Sequence, residues 1–332
     1  MIRLTQITHA SLGRRVALVE SEKLRLLGRH WSVYELAQAA METGQSLAQV
    51  VEANLSGEAV EYDPIYAGRS EWRLLPAFDH PVEPARCLVS GTGLTHKASA
   101  ENRQAMHGGE EVVTDSMRMY RWGLEGGKPA GGGIGVPPEW FYKGCGTILR
   151  AHNEPLVTPA YAEDGGEEGE IACLYVIDPA GVPRRVGMAV GNEFSDHRHE
   201  KKNYLYLAPS KLRNCALGPE LVSGGEFECV PGVTKIERGG EVIWSKEIFT
   251  GEAKMSHSLA NLEHHHFKFE QHRRPGDAHI HFLGADAFSF GEGVELAEGD
   301  VMAIEFEGFG RALRNPLKID RSPVTLAAAV VL

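Results

Sequence analysis

The sequence predicts an α+β protein that is mostly β, a mixed sandwich or roll with a small N-terminal α+β domain in front of it. Three observations point there. Two helices with start and stop signals cluster near the N-terminus. From about residue 85 onward, short β-like runs alternate with glycine-rich turns. Helical periodicity is sparse in that second stretch.

The elements follow in order. In "WSVYELAQAAMETG", Ser32 and Glu35 have the spacing of a capping box, and Gly44 is a natural stop. "SLAQVVEANLSG" repeats the device with Ser46, Gln49 and Gly57. "RVALVE" and "EWRLLPAF" read as flanking strands, and "DHPVEPARC" with its two prolines closes the unit, giving a domain over residues 1–84. Residues 85–332 carry "RCLVSG", "GEIACLYVID", "RRVGMAVG", "GEVIWSKEIF", "AHIHFLG" and "VMAIEFEGFG", the strands expected of a β domain. The run "GGKPAGGGIGVPPEW" reads as loop: it lacks the Gly-Lys-Ser/Thr ending of a phosphate cradle.

Composition excludes several classes. The chain has 332 residues, 42% hydrophobic and 24% charged, as a globular protein does. Its net charge of −11 argues against a nucleic-acid partner. Five scattered cysteines (Cys87, Cys145, Cys173, Cys215, Cys229) fit reduced thiols rather than a disulfide framework. No apolar leader or membrane span is evident, so the expected compartment is the cytoplasm.

Residues 255–284 hold seven of the fifteen histidines. The part "SHSLANLEHHHFKF" reads as a helix with Leu259, Leu262 and Phe269 near one face. Successive helical side chains diverge by about 100°, so His264, His265 and His266 do not converge on one ion. They cover a partly buried helix surface. His279 and His281 share one face of a strand and are candidates to line a site, but no third ligand follows them.

Carboxylates offer the better metal site. In "DGGEEGEIACLYVID", Glu168 and Glu170 lead into an apolar strand and project from one face. Two carboxylates that close repel unless a proton or cation lies between them. A hard ion such as Mg²⁺ suits them; a solvated acidic turn is the plainer alternative. The next strand, "RRVGMAVGNEFSDH", brings Glu193, and "APSKLRNCALGPEL" brings Lys211 before a Gly-Pro turn.

Those residues resemble the fumarylacetoacetate hydrolase superfamily over roughly residues 88–317. "PEWFYKGCGTILRAHNEPLVTPAYAEDGGEEGEIACLYVID" is similar to its "P…F.K" segment with a downstream Glu-x-Glu strand. "VGMAVGNEFSDH" is similar to "GY…ND.SARD", "SKLRNCALGP" to "K…GP", and "RRPGD" through "RNPL" to "PGD…TGT…L..GD". The resemblance implies a mixed β-sandwich roll, usually a homodimer, with Mg²⁺ (Mn²⁺ or Ca²⁺ as alternatives) on Glu168, Glu170 and Glu193. Glu193 replaces the usual Asp, and Ala285, after Gly284, stands where the family's substrate-contacting Thr falls.

The stretch "GTGLTHKASAEN" lacks the His and Glu pattern of the acylpyruvase lid and resembles that of the 2-keto-3-deoxy sugar-acid dehydratases. The implied activity is a metal-dependent dehydratase of a small keto acid such as 2-keto-3-deoxy-arabinonate, in sugar catabolism. An acylpyruvate-type hydrolase or decarboxylase is the alternative. Lys211 is the expected group beside the keto oxygen, against a structural lysine. Lys143, Gly284 and Ala285 are expected at the substrate, with a plain surface role open for Lys143. Ser99 and Glu101 are expected to move protons or bind hydroxyls, against a plain helix N-terminus capped by Ser99.

Overall fold

The computed structural model describes residues 1–107 and 113–332. The N-terminal segment contains β1 (Ile2–His9), β2 (Gly13–Glu20), β3 (Lys23–Leu27), α1 (Val33–Thr43), α2 (Leu47–Ala53), β4 (Leu55–Glu61), α3 (Tyr62–Tyr66) and β5 (Trp72–Leu74). Next come β6 (Cys87–Gly91), α4 (Lys97–His107), α5 (Asp115–Gly126), β7 (Phe141–Cys145), β8 (Leu149–Arg150) and β9 (Leu156–Thr158). The central strands β10 (Gly169–Ile177) and β11 (Pro183–Asn192) precede α6 (His197–Lys202), α7 (Leu207–Lys211) and β12 (Cys215–Ser223). The remainder is β13 (Val230–Arg238), β14 (Glu241–Thr250), α8 (Leu259–Phe267), β15 (Ala278–Phe282), β16 (Val301–Phe306) and β17 (Leu313–Ile319).

Among the described residues the strands form two sheets. The large one runs β4-β3-β2-β1-β12-β11-β10-β15-β6-β7, with β5 joined to β1 and β8 to β12; the small one runs β14-β13-β16-β17-β9. Strand β10 is buried along its whole length, and its alternation divides two cores. Ile171, Cys173 and Tyr175 pack with Ile236, Ile304 and Phe306 of the small sheet. Ala172, Leu174 and Val176 pack with Val33, Leu36 and Val50 of the N-terminal helices. A strand covered on both faces needs an unbroken apolar run, which "IACLYVI" is. The expected domain boundary is crossed by the sheet itself, since β1 pairs antiparallel with β12 through Leu4 and Leu221.

Local signals account for the first helices. Ser32 caps α1 by accepting Glu35 N–H, while the Glu35 carboxylate takes Trp31 N–H rather than closing the box. Gly44 ends the helix at φ 67°, where a side chain would be strained. Ser46 and Gln49 form the full reciprocal box on α2. That helix stops at Ala53, and Gly57, expected as its end, lies within β4.

Three expectations need correction. The Gly218–Pro219 pair is a cis peptide inside β12, not a turn after Lys211. Helices α4 and α5 fill a stretch read as poor in helix. Their contact is small (Leu94, Ala100 and Tyr120, with Met117 and Met119), so no long apolar stripe announced them. In α8, Leu259 and Leu262 are buried as expected, but Phe267 rather than Phe269 is the buried aromatic; Phe269 lies past the helix end. Among the described residues no helix is long and apolar enough to cross a membrane.

Candidate metal centre

Register builds the site. Gly169 of β10 pairs with Asn192 of β11, so Glu168 and Glu193 face each other at the strand ends, and Glu193 N–H donates to Glu168 O at 2.9 Å. Glu170 lies two residues along β10, on the Glu168 face. Carboxylate oxygens of Glu168, Glu170 and Glu193 all come within 4.8 Å of one another, and the three residues are buried. No other group of three His, Cys, Asp or Glu meets that criterion among the described residues. The acidic turn is therefore folded inward. Gly165 and Gly166 make this feasible: a Cβ on Gly165 would fall 2.0 Å from Thr158 Oγ1, and one on Gly166 would strike the His197 ring.

Two ammonium groups balance part of this charge. Lys211 Nζ donates to Glu168 Oε1 at 2.6 Å, Glu193 Oε2 at 2.7 Å and Ser195 Oγ at 2.9 Å. Lys143 Nζ reaches Glu193 Oε1 at 2.5 Å and donates to Phe194 O at 2.6 Å and Lys211 O at 3.1 Å. All three of its donors are thus spent on the protein, so Lys143 holds Glu193 and neither lies on the surface nor offers an N–H to substrate. Among the described residues Glu170 has no ammonium partner; its Oε2 accepts Gly284 N–H at 2.7 Å. Gly284 stands at φ 100°, and a Cβ there would meet Thr95 Oγ1 at 2.0 Å.

The titration directions follow from these contacts. Burial raises Glu170 well above the usual carboxylate range, and the charges of Glu193 and Glu168 push it further. Burial also raises Glu193, to about 7, against the pull of Lys143 and Lys211. Burial acts the same way on Glu168, but Lys211 and His197 outweigh it and hold Glu168 well below its ordinary value. Three carboxylates with two lysines cannot all ionise cheaply in a dry site. A divalent cation would supply the missing charge, and an all-oxygen donor set suits Mg²⁺, Mn²⁺ or Ca²⁺. The residues present fit such an ion.

The other predicted residues divide. Ser99 is buried inside α4, two residues past its first turn's start, so it is not the cap of that helix. Glu101, on the same helix, is turned to solvent with its side chain 55% exposed, 3.2 Å from Lys97, and does not join the cluster. Ala285 is buried beside Gly284. His264, His265 and His266 diverge as expected: His265 bonds to Gly135 O and His266 to Trp140 and His279. His281 lies between Ser90 and Thr92, and neither His279 nor His281 touches a carboxylate of the cluster.

Sequence reasoning missed five residues. His197 Nε2 lies 2.9 Å from Glu168 Oε1. Arg103 on α4 is buried between Glu139 (2.9 Å) and Glu200 of α6 (2.7 Å), tying the stretch after β6 to the metal strands. Glu139 Oε1 also accepts Tyr204 Oη–H at 3.1 Å, while its Oε2 is buried with no partner among the described residues. The one available signal was a charged residue, Glu139, four before Lys143 in "PPEWFYK".

No family model matches the chain, and no curated protein is similar enough to match. Solved structures do match. A hexagonal crystal form of 2-keto-3-deoxyarabinonate dehydratase superimposes with TM-score 0.71 at 18% identity, covering 96% of this chain and all of the other. The 2-keto-3-deoxy-D-arabinonate dehydratase complexed with magnesium and 2,5-dioxopentanoate gives 0.70 at the same identity and coverage. The 5-carboxymethyl-2-hydroxymuconate delta-isomerase of Mycobacterium smegmatis gives 0.56, also at 18% identity, 96% of this chain and all of that one. The chain has the fold of these dehydratases and isomerases, an α+β architecture that is mostly β, as the sequence predicts.

Proposed function

We propose that the chain is a divalent-metal-dependent hydro-lyase that dehydrates a 2-keto-3-deoxy sugar acid, with 2-keto-3-deoxy-arabinonate as the leading substrate. The observation that carries this reading is the buried triad of Glu168, Glu170 and Glu193 with Lys211 donating to two of them. The fold shared with a dehydratase bound to magnesium and 2,5-dioxopentanoate supports it. Glu168, Glu170 and Glu193 would hold the ion, with Mg²⁺ first and Mn²⁺ or Ca²⁺ as alternatives. Such an ion supplies Lewis acidity toward the 1-carboxylate and 2-keto oxygen of a keto acid.

The chain's own residues do the rest. Lys211 would keep its N–H on Glu168 Oε1 and turn the one that serves Ser195 toward the keto oxygen, offsetting negative charge there as the C3 proton passes to a base and on to the C4 hydroxyl, which leaves as water. Glu139, held on Oε1 by Arg103 and Tyr204, offers Oε2 to a substrate hydroxyl. Ser99 is a second hydroxyl contact from α4. Gly284 fixes Glu170, and Ala285 beside it would contact the substrate. A dimer in the cytoplasm, acting in sugar catabolism, completes the proposal.

The rivals are decarboxylation of a keto acid and hydrolysis of an acylpyruvate, and hydrolysis needs a base for water. His197 does not fill that role: Nε2 serves Glu168, and Nδ1 is buried against Gly166. His96, in the stretch after β6, lies between Thr95 and Thr250. Mass spectrometry of the product tests the proposal. A five-carbon 2-keto semialdehyde one water lighter than the 2-keto-3-deoxy pentonate, with deuterium entering C3 in D₂O, is expected. Two shorter carbon fragments would replace this reading with a cleavage reaction.

A further inference from the structure

Glu167 and Glu168 are chain neighbours gripped by two ends of one assembly. Glu167, fully buried, accepts Ser289 N–H at 2.6 Å and Ser289 Oγ–H at 2.8 Å. That pins the segment Phe288–Phe290. Phe288 lies nearly parallel to the His197 imidazole, centroids 4.6 Å apart at 18°, and Phe290 tilts against the same ring at 5.3 Å. His197 in turn sets Nε2 2.9 Å from Glu168 Oε1. On the remaining side Gly166 leaves space for the ring, because a Cβ there would fall 2.3 Å from Nδ1. The imidazole, 2% exposed, is held on all these sides.

We infer that His197 is a positioning residue for Glu168: it and Lys211 together saturate Oε1 and so present Oε2 to the ion. The inference rests on the carboxylate triad being the metal site. Nε2 carries a hydrogen in the tautomer that serves a carboxylate and in the imidazolium, so it donates in either state. A carboxylate ligand left without its supporting donor swings between rotamers, and such outer contacts typically govern metal affinity by about 10- to 100-fold. His197 is not itself a ligand, since its one free nitrogen, Nδ1, is shut behind Gly166.

Calorimetric titration of the protein with Mn²⁺ alone tests this, with thermal melts to confirm folding. His197→Phe keeps the stacking and removes the donor; it is expected to bind Mn²⁺ about 10- to 100-fold more weakly. His197→Gln keeps an N–H of similar reach and is expected to recover most of the affinity. Unchanged affinity in His197→Phe, or equal weakness in both variants, overturns the inference. Should His197→Phe not fold, Phe288→Leu removes the stacking plane while keeping the donor; several-fold weaker Mn²⁺ is expected, and wild-type affinity overturns it. A wild-type protein that takes up no Mn²⁺ overturns the metal-site reading instead.

Discussion

Lys211 Nζ donates to Glu168 Oε1 at 2.6 Å with both groups buried, so each charge depends on the other to be tolerable there. Removing one partner leaves the other without compensation. Lys211→Met is expected to cost about 3–5 kcal/mol of stability in the metal-free protein. Excess Mg²⁺ should restore part of that, because an ion replaces the lost counter-charge. On the proposed reaction the variant should lower kcat far more than it raises KM. Denaturant titrations with and without Mg²⁺, alongside steady-state kinetics, check both.

Glu170 behaves differently, because burial and its two acidic neighbours already favour its protonated form without an ion. Glu170→Gln should therefore leave the melting temperature of the metal-free protein nearly unchanged or slightly raised. It should abolish bound Mg²⁺ and activity, since Gln brings no charge to a hard cation. Elemental analysis and a thermal melt decide it. Full activity of this variant, or of the wild type in excess EDTA, would remove the metal from the account.

Glu139→Gln tests the unpartnered oxygen. The Oε1 contacts with Arg103 and Tyr204 can be kept by an amide oxygen, at reduced charge. If Oε2 takes a substrate hydroxyl, activity should fall at least tenfold with Mn²⁺ affinity unchanged. An equal drop in Mn²⁺ affinity would mark Glu139 as part of the scaffold alone.

The histidine-rich helix should prove structural. Replacing His264, His265 and His266 together with Gln is expected to leave metal content unchanged. It should lower stability by roughly 2–4 kcal/mol, because His265 and His266 are buried and bonded to Gly135 O, Trp140 and His279. Loss of the ion in the triple variant would contradict the assignment of the metal to carboxylates.

Acid should unfold the protein through the same region. Burial lowers His279 and His281 to about 3, and neighbouring imidazoles add to the effect. A group whose folded pKa lies below its unfolded value of about 6.5 gives its full stability above that pH. The stability is then lost as pH falls from about 6.5 toward 3, because the unfolded chain takes up the proton first. The two histidines should together cost on the order of 4 kcal/mol by pH 5. Urea midpoints between pH 7.5 and 5 measure this, and His281→Asn should flatten the slope.

By itself the sequence determined the parts governed by local period and local chemistry. The apolar run of β10 announced a strand, and the Glu-x-Glu spacing at its start placed two carboxylates on one side; the fold then covered both of its faces. Ser46 with Gln49 marked α2, whose partners lie within one turn. Only the tertiary structure decided which groups neutralise those carboxylates. Lys143 and Lys211 reach Glu193 from 50 and 18 residues away, and His197 reaches Glu168 from 29. It likewise turned Glu101 to water while burying Arg103 two residues on, since "KASAENRQAMH" has no apolar stripe to say which face goes inward. Helix and strand periods act between near neighbours, whereas a buried charge is stabilised by whichever partner the fold delivers. That delivery depends on sheet register, and register is a property of the whole chain.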